Sequence, residues 1–244
     1  MSQNSRAPSE TRALVPLDVG DVMLALGDSI AAGLGAAHVD EGCMGLVAGR
    51  LRLLRPALHL SLLAVPGESS TSFRAQGGQL DAAEELIATV QARGQRVAPV
   101  LLCLGANDAM EAADVGDAQA VRNLSDNLED IWSRLQGALA PQGEALDRLA
   151  ATQTFYNPFS PLDAEPGLPS ADQLAPRRAR RGGFNEAIRD AAARAGVTVA
   201  DVGAAFAGEE LALTWVRSGD IHPSPAGHRR IADVYLSSCG WETC

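Results

Sequence analysis

Five short apolar runs, each separated from the next by a longer stretch of helical periodicity, most restrict the folds open to this chain. The runs are VMLAL (22–26), LHLSLLAV (58–65), VAPVLLCL (97–104), LDRLAATQTFY (146–156) and VTVADV (197–202). Four are nearly continuous in apolar character, as expected of parallel strands covered on both faces. Between and after them lie helical candidates at 42–55, 77–93, 118–140, 182–195 and 225–237. In GGQLDAAEELIATVQARG the residues Leu80, Ala83, Leu86, Ile87 and Val90 share one face, and Gly94 supplies the stop. Repeated strand-then-helix units connect by right-handed crossovers, which predicts a parallel sheet between two helical layers. The 244 residues are 46% hydrophobic, enough for a full core; folding at this length buries about 75% of the unfolded surface. One domain over 21–244, after a polar extension at 1–20, is the expectation.

Charge and cysteine content exclude several function classes. The formal net charge is -10 and all 20 positive charges are Arg, a balance that disfavours nucleic acid or an anionic membrane as a partner. No stretch reaches the roughly 18 apolar residues of a membrane span, and the first 20 residues lack the apolar run of a secretory signal. A soluble, cytoplasmic protein is expected from the chain as it stands, with secretion after removal of a signal left open. Cys43, Cys103, Cys239 and Cys244 show no metal-ligand spacing. Cys103 is expected to be a buried small residue, and Cys239 with Cys244 either a pair or two thiols. Only 4% of residues are aromatic, so no aromatic platform for a polysaccharide is apparent, nor an amphipathic helix suited to a lipid interface.

In open parallel sheets the working residues lie just beyond the carboxyl ends of the strands. After the first run comes LALGDSIAAGLGA (24–36). Ser29 there reads as a nucleophile needing an adjacent base, as a helix cap, or as part of a phosphate loop. The phosphate reading is weak, because the glycines at 33 and 35 complete no Gly-x-Gly-x-x-Gly and no Gly-Lys-Ser/Thr occurs. After the second run, Gly67 offers either a bare N–H to a ligand or an ordinary Pro-Gly turn. After the third, Asn107 in Gly-Ala-Asn-Asp can point a side-chain N–H at a developing oxyanion, or serve a local turn. Near the carboxyl end, SGDIHPSPAGHRRIA places His222 on a loop with Asp220 two residues away. The other histidines fall after the first glycine turn (His38), in a strand (His59) and in the last helix (His228). His222 is therefore the general-base candidate. A nucleophile, a base, an acid and two further oxyanion donors on one sheet edge are the set that acyl transfer needs.

With these residues in place, the chain resembles the SGNH (GDSL-type) hydrolases. Gly27-Asp28-Ser29 is similar to their nucleophile motif and Gly67 to their glycine element. Gly105-Ala106-Asn107-Asp108 is similar to their Gly-x-Asn-Asp element, and Asp220-Ile221-His222-Pro223 to their acid–histidine motif. The four occur in the family's order across residues 27 to 223. The resemblance implies an α/β fold of the flavodoxin-like type, a three-layer α/β/α sandwich on a parallel sheet of about five strands. It also implies hydrolysis of a small-molecule ester through an acyl-serine, with no metal or organic cofactor. Ser29, His222 and Asp220 would be catalytic, and the N–H groups of Ser29 and Gly67 with the Asn107 side chain would form the oxyanion hole. The family's acid usually stands three residues before the histidine, where this chain has Gly219. Either Asp220 or a backbone carbonyl at Ser218 or Gly219 would then orient the ring. Asp28, next to the nucleophile, is expected to brace its turn through backbone N–H groups.

The long segment 157–183 follows the fourth strand and is expected to wall the substrate pocket, with Tyr156, Phe159 and Leu162 as contacts; a mobile excursion is the equal alternative. The Arg177–Arg181 cluster reads as a solvated face. A short-chain acyl or acetyl ester is the expected substrate, with carbohydrate-acetyl esterase or lysophospholipase/thioesterase as alternatives within the family. A non-catalytic α/β binding module is the alternative of another class. Oligomeric state is left open.

Overall fold

The computed structural model of the protein describes residues 22–112, 117–143, 146–159 and 183–241. Five strands, β1 (Val22–Gly27), β2 (His59–Leu62), β3 (Val97–Cys103), β4 (Ala150–Gln153) and β5 (Thr198–Ala200), form one sheet in the order β2-β1-β3-β4-β5. Every pairing is parallel. The longer helices are α1 (Cys43–Leu54), α3 (Gln79–Ala92), α5 (Asp117–Leu139), α7 (Phe184–Ala195) and α10 (Pro225–Ser238). Short turns of helix occur at α2 (Ser70–Phe73), α4 (Ala106–Glu111), α6 (Leu146–Leu149), α8 (Val202–Phe206) and α9 (Glu210–Leu213).

The period of two along the strands sorts the apolar side chains into two cores. Leu24 and Leu26 of β1 join Val100 and Leu102 of β3 against Leu80 and Ile87 of α3, Leu128 and Trp132 of α5, and Ile188 of α7. Met23 and Ala25 join Leu101 and Cys103 on the opposite face, against Met44, Val47 and Leu51 of α1 and Ile231 and Tyr235 of α10. β1 and β3 are buried along their whole length, which explains their continuous apolar runs. Each fully buried Leu, Ile or Phe contributes about 1.5–3 kcal/mol, so these two faces hold the sheet rigid beneath whatever its edge carries.

Two expectations need correction. The run 146–156 is not one strand: Leu146 and Leu149, three apart and both buried, form the inner side of a helical turn, and the strand starts only where the side chains become small at Ala150. Ser29 is not a helix cap either. Residues 28–37 form successive turns, with Ala32 N–H bonding Asp28 O and Leu34 N–H bonding Ser29 O, and α1 starts only at Cys43. Gly33 and Gly35, at φ 87° and 96°, keep this stretch from propagating as a helix.

Candidate active site

The strand order reverses direction at β1, and the residues after β1 and β3 meet at that crevice. Gly27 ends β1 at φ 128°, and a Cβ there would stand 2.0 Å from the carbonyl oxygen of Cys103. Only glycine fits, and the close approach lets Asp28 N–H bond Cys103 O at 3.1 Å, which fixes where Ser29 emerges. The buried Asp28 carboxylate accepts the Ile30 N–H at 2.9 Å, bracing the turn as expected. Burial pushes its carboxyl up to about 6, against the opposing pull of the Ile30 N–H. The neighbouring thiols of Cys43 and Cys103 are buried; burial pushes Cys43 up to about 12 and Cys103 well above the ordinary thiol value.

His222 reaches this turn from the far end of the chain. Its Nε2 lies 2.9 Å from Ser29 Oγ and its Nδ1 lies 2.5 Å from Asp220 Oδ1. A carboxylate only accepts, so Nδ1 carries the hydrogen and Nε2 presents its lone pair to the serine hydroxyl. The same Asp220 oxygen accepts the His222 backbone N–H at 3.1 Å. The group beside the ring is the Asp220 carboxylate, two residues before the histidine and not three. Partial burial pushes the Asp220 carboxyl up, but the hydrogen bonds from the His222 N–H and ring, and the ring's charge when protonated, hold it below the usual range.

The loop bearing His222 is fastened on several sides. His222 O accepts Trp215 N–H at 3.0 Å, Asp220 N–H bonds Trp215 O at 3.2 Å, and Ser224 N–H bonds Leu213 O at 2.8 Å. Ser224 caps α10, accepting Gly227 N–H. Two consecutive carbonyls of the nucleophile loop are gripped from this block: Trp215 Nε1 donates to Gly35 O at 2.9 Å and His228 Nε2 to Leu34 O at 2.9 Å. Buried His228 also accepts Cys43 N–H on Nδ1 at 3.1 Å. Burial holds its imidazolium form down, which suits a ring that donates at one nitrogen and accepts at the other.

On the other side of Ser29, Asn107 lies in the first turn of α4. Its Nδ2 donates one hydrogen to Glu68 O at 2.8 Å, leaving the second for a ligand. Gly67, at φ 84° with nothing within 4 Å of a would-be Cβ, is one residue from that carbonyl and outside the lining of the cleft itself. Behind them runs a polar network that sequence patterns did not signal. Gln79 accepts Gly27 N–H on Oε1 at 2.6 Å and donates from Nε2 to Gly27 O and to Glu68 Oε2. Asp108 accepts the N–H and hydroxyl of Ser70, whose Oγ also takes a hydrogen from Asn127. Burial pushes the Asp108 carboxyl up.

Ser29, Asn107 and His222 line one small cleft with Ile30, Ala106, Met110, Phe155, Tyr156, Pro158 and Ile221; its free volume is about 30 Å³. Tyr156 is therefore a cleft residue, as expected, while its hydroxyl is directed at Ile221 O at 2.9 Å. Phe159 is buried and is not part of the lining. Leu162, the Arg177–Arg181 cluster, Cys244 and the extension 1–20 lie outside the described residues. Among the described residues no helix is long and apolar enough to cross a membrane.

A doubly wound parallel sheet with serine, imidazole and carboxylate in hydrogen-bonded series at its switch point has the architecture of a serine hydrolase. The chain belongs to the GDSL-like lipase/acylhydrolase family, whose sequence model matches residues 25–230, and it is a carboxylic ester hydrolase. No curated protein matches it by sequence. Its fold is similar to that of Axe2, an acetylxylan esterase from Geobacillus stearothermophilus (TM-score 0.65, 18% identity, 93% of this chain and 98% of that one). It is also similar to the psychrotrophic esterase EstA from Pseudoalteromonas sp. (0.57, 18%, 90% and 96%). A third similar structure is LAE5, an alpha/beta hydrolase from the metagenome of Lake Arreo, Spain (0.55, 22%, 92% and 97%).

Proposed function

We propose that the protein hydrolyses small carboxylic esters with a short acyl chain, through an acyl-serine formed on Ser29. The observation that carries this reading is the series Asp220 Oδ1–His222 Nδ1 at 2.5 Å and His222 Nε2–Ser29 Oγ at 2.9 Å. Ser29 Oγ attacks the ester carbonyl carbon while His222 Nε2 takes its proton, and Asp220 stabilises the imidazolium. The tetrahedral oxyanion is received by the N–H groups of Ser29 and Gly67 and the uncommitted N–H of Asn107. His222 then gives its proton to the departing alkoxide, releasing the alcohol and leaving the acyl group on Ser29. Water, deprotonated by His222, attacks the acyl carbonyl; the second tetrahedral intermediate collapses to free acid as the proton returns to Ser29 Oγ. The smallness of the cleft between Met110, Phe155, Tyr156 and Ile221 supports a short acyl group over a long one.

The test has two parts. Incubation with an aryl organophosphonate followed by intact mass should give one adduct on the native protein and none on Ser29→Ala; no adduct on folded native protein would sink the acyl-serine reading and leave a binding module. A chain-length series of aryl esters alongside acetylated xylo-oligosaccharides then ranks substrates, with kcat/KM expected to fall beyond short chains. Acetylated sugars belong in the panel because the similar Axe2 structure is named an acetylxylan esterase.

A further inference from the structure

Tyr156 lines the cleft, and its hydroxyl is bonded to the peptide that links Asp220 and Ile221 to His222. That peptide joins Ile221 to His222. Its carbonyl accepts the Tyr156 hydroxyl at 2.9 Å, and its N–H donates to Asp220 Oδ1 at 3.1 Å. The same Asp220 oxygen receives the His222 ring at 2.5 Å. Rotation of this peptide would lift the N–H from Asp220 and turn the imidazole with it, and the acid is only one residue upstream, so no longer segment absorbs the motion. The acid itself is held from the other side, where Gly219 N–H bonds Val216 O at 3.0 Å and Asp220 N–H bonds Trp215 O at 3.2 Å, so the Ile221–His222 peptide lies between two fixed ends.

Resting on the assignment of Asp220 as the acid, we propose that Tyr156 is a positioning residue, its hydroxyl holding the Ile221–His222 peptide so that N–H and ring meet one carboxylate oxygen. The hydroxyl's own direction is fixed from behind. The Tyr156 ring stacks on Phe206 of α8 with centroids 4.4 Å apart and planes 12° from parallel, and both rings are buried. A carbonyl that accepts a hydrogen bond also polarises its peptide and makes the N–H at the other end a better donor. The device accounts for how an acid displaced by one position still serves the histidine.

A double-mutant cycle tests this with Tyr156→Phe, Asp220→Ala and both together, assayed on an aryl acetate. Tyr156→Phe keeps the stack and the volume; it should lower kcat by about 5- to 30-fold, as losing one buried hydrogen bond does, with KM little changed. In the Asp220→Ala background the same change should alter kcat by less than about two-fold, because nothing remains to align. An equal loss in both backgrounds, a loss confined to KM, or no loss in the native background would each overturn the role of Tyr156 while leaving Asp220 as the acid. Near-native turnover in Asp220→Ala alone would remove the acid assignment, and the Tyr156 proposal with it.

Discussion

The carbonyl oxygen of Pro223 lies 2.2 Å from where a Cβ on Gly35 would stand, and the Cβ of His222 lies 3.2 Å from it. The loop after Ser29 and the loop bearing His222 are thus in backbone contact, and the absence of a side chain sets their separation. Gly35→Ala should push the His222 loop outward and lower kcat/KM by about 100-fold or more, with stability reduced by about 1–2 kcal/mol for the positive φ. Gly94→Ala is the control. Gly94 also has a positive φ, 72°, but nothing lies within 4 Å of its would-be Cβ, so it should lose only about 1–2 kcal/mol for the positive φ and keep full activity. Steady-state kinetics and thermal melts on the pair decide; equal activity in both would mean that the contact does not position the base.

Asn107 is held by Glu68 O through one hydrogen of its Nδ2, so the remaining hydrogen costs no reorganisation when charge develops on the substrate. Asn107→Ala should lower kcat by roughly 10²–10³ with a modest change in KM, the pattern of a donor used in the transition state. The rate of phosphonate labelling on Ser29 should fall in parallel, because the phosphonyl oxygen occupies the same place. Labelling at the native rate would mean that Asn107 only serves the Glu68 turn.

Asp28 has its carboxyl raised from 3.8 to about 6 by burial. The folded protein therefore binds this proton more tightly than the unfolded chain does, and between these values stability falls as pH rises, by up to about 3 kcal/mol. Asp108, raised by burial, acts in the same sense, whereas Asp81, Asp201 and Asp220, held down by their hydrogen-bond partners, act in the opposite one. The difference between the native protein and Asp28→Asn isolates the single group, since a carboxamide oxygen can still accept the Ile30 N–H. Denaturant melts should find the variant more stable above about pH 6, the gap closing toward pH 4. A gap independent of pH would place the proton elsewhere.

The strand–helix alternation was legible because β1 and β3 are buried on both faces and α3 shows one apolar side, so periodicity and burial agree. The run 146–156 reads as one strand because a strand covered on both faces needs no alternation, so the helical three-residue spacing of Leu146 and Leu149 does not stand out. Ser29 and Asn107 could be named because strand ends on one sheet edge must converge, and His222 with Asp220 because it is the loop histidine with an acid two residues away. Gln79, Trp215 and His228 could not: each bonds a backbone atom of a residue distant in sequence, and a partner of that kind leaves no pattern of residue types. The hydroxyl of Tyr156 is the intermediate case, placed at the cleft by its strand but directed by a stack on Phe206.

Ser29 and His222 are separated by 193 residues, yet the acid, the base and both grips on the Leu34 and Gly35 carbonyls come from the short block between Trp215 and His228. On the reading in which Ser29 is the nucleophile, release of that block would leave it an ordinary hydroxyl on a sheet that keeps all five strands, so activity is expected to be lost on heating before the sheet unfolds.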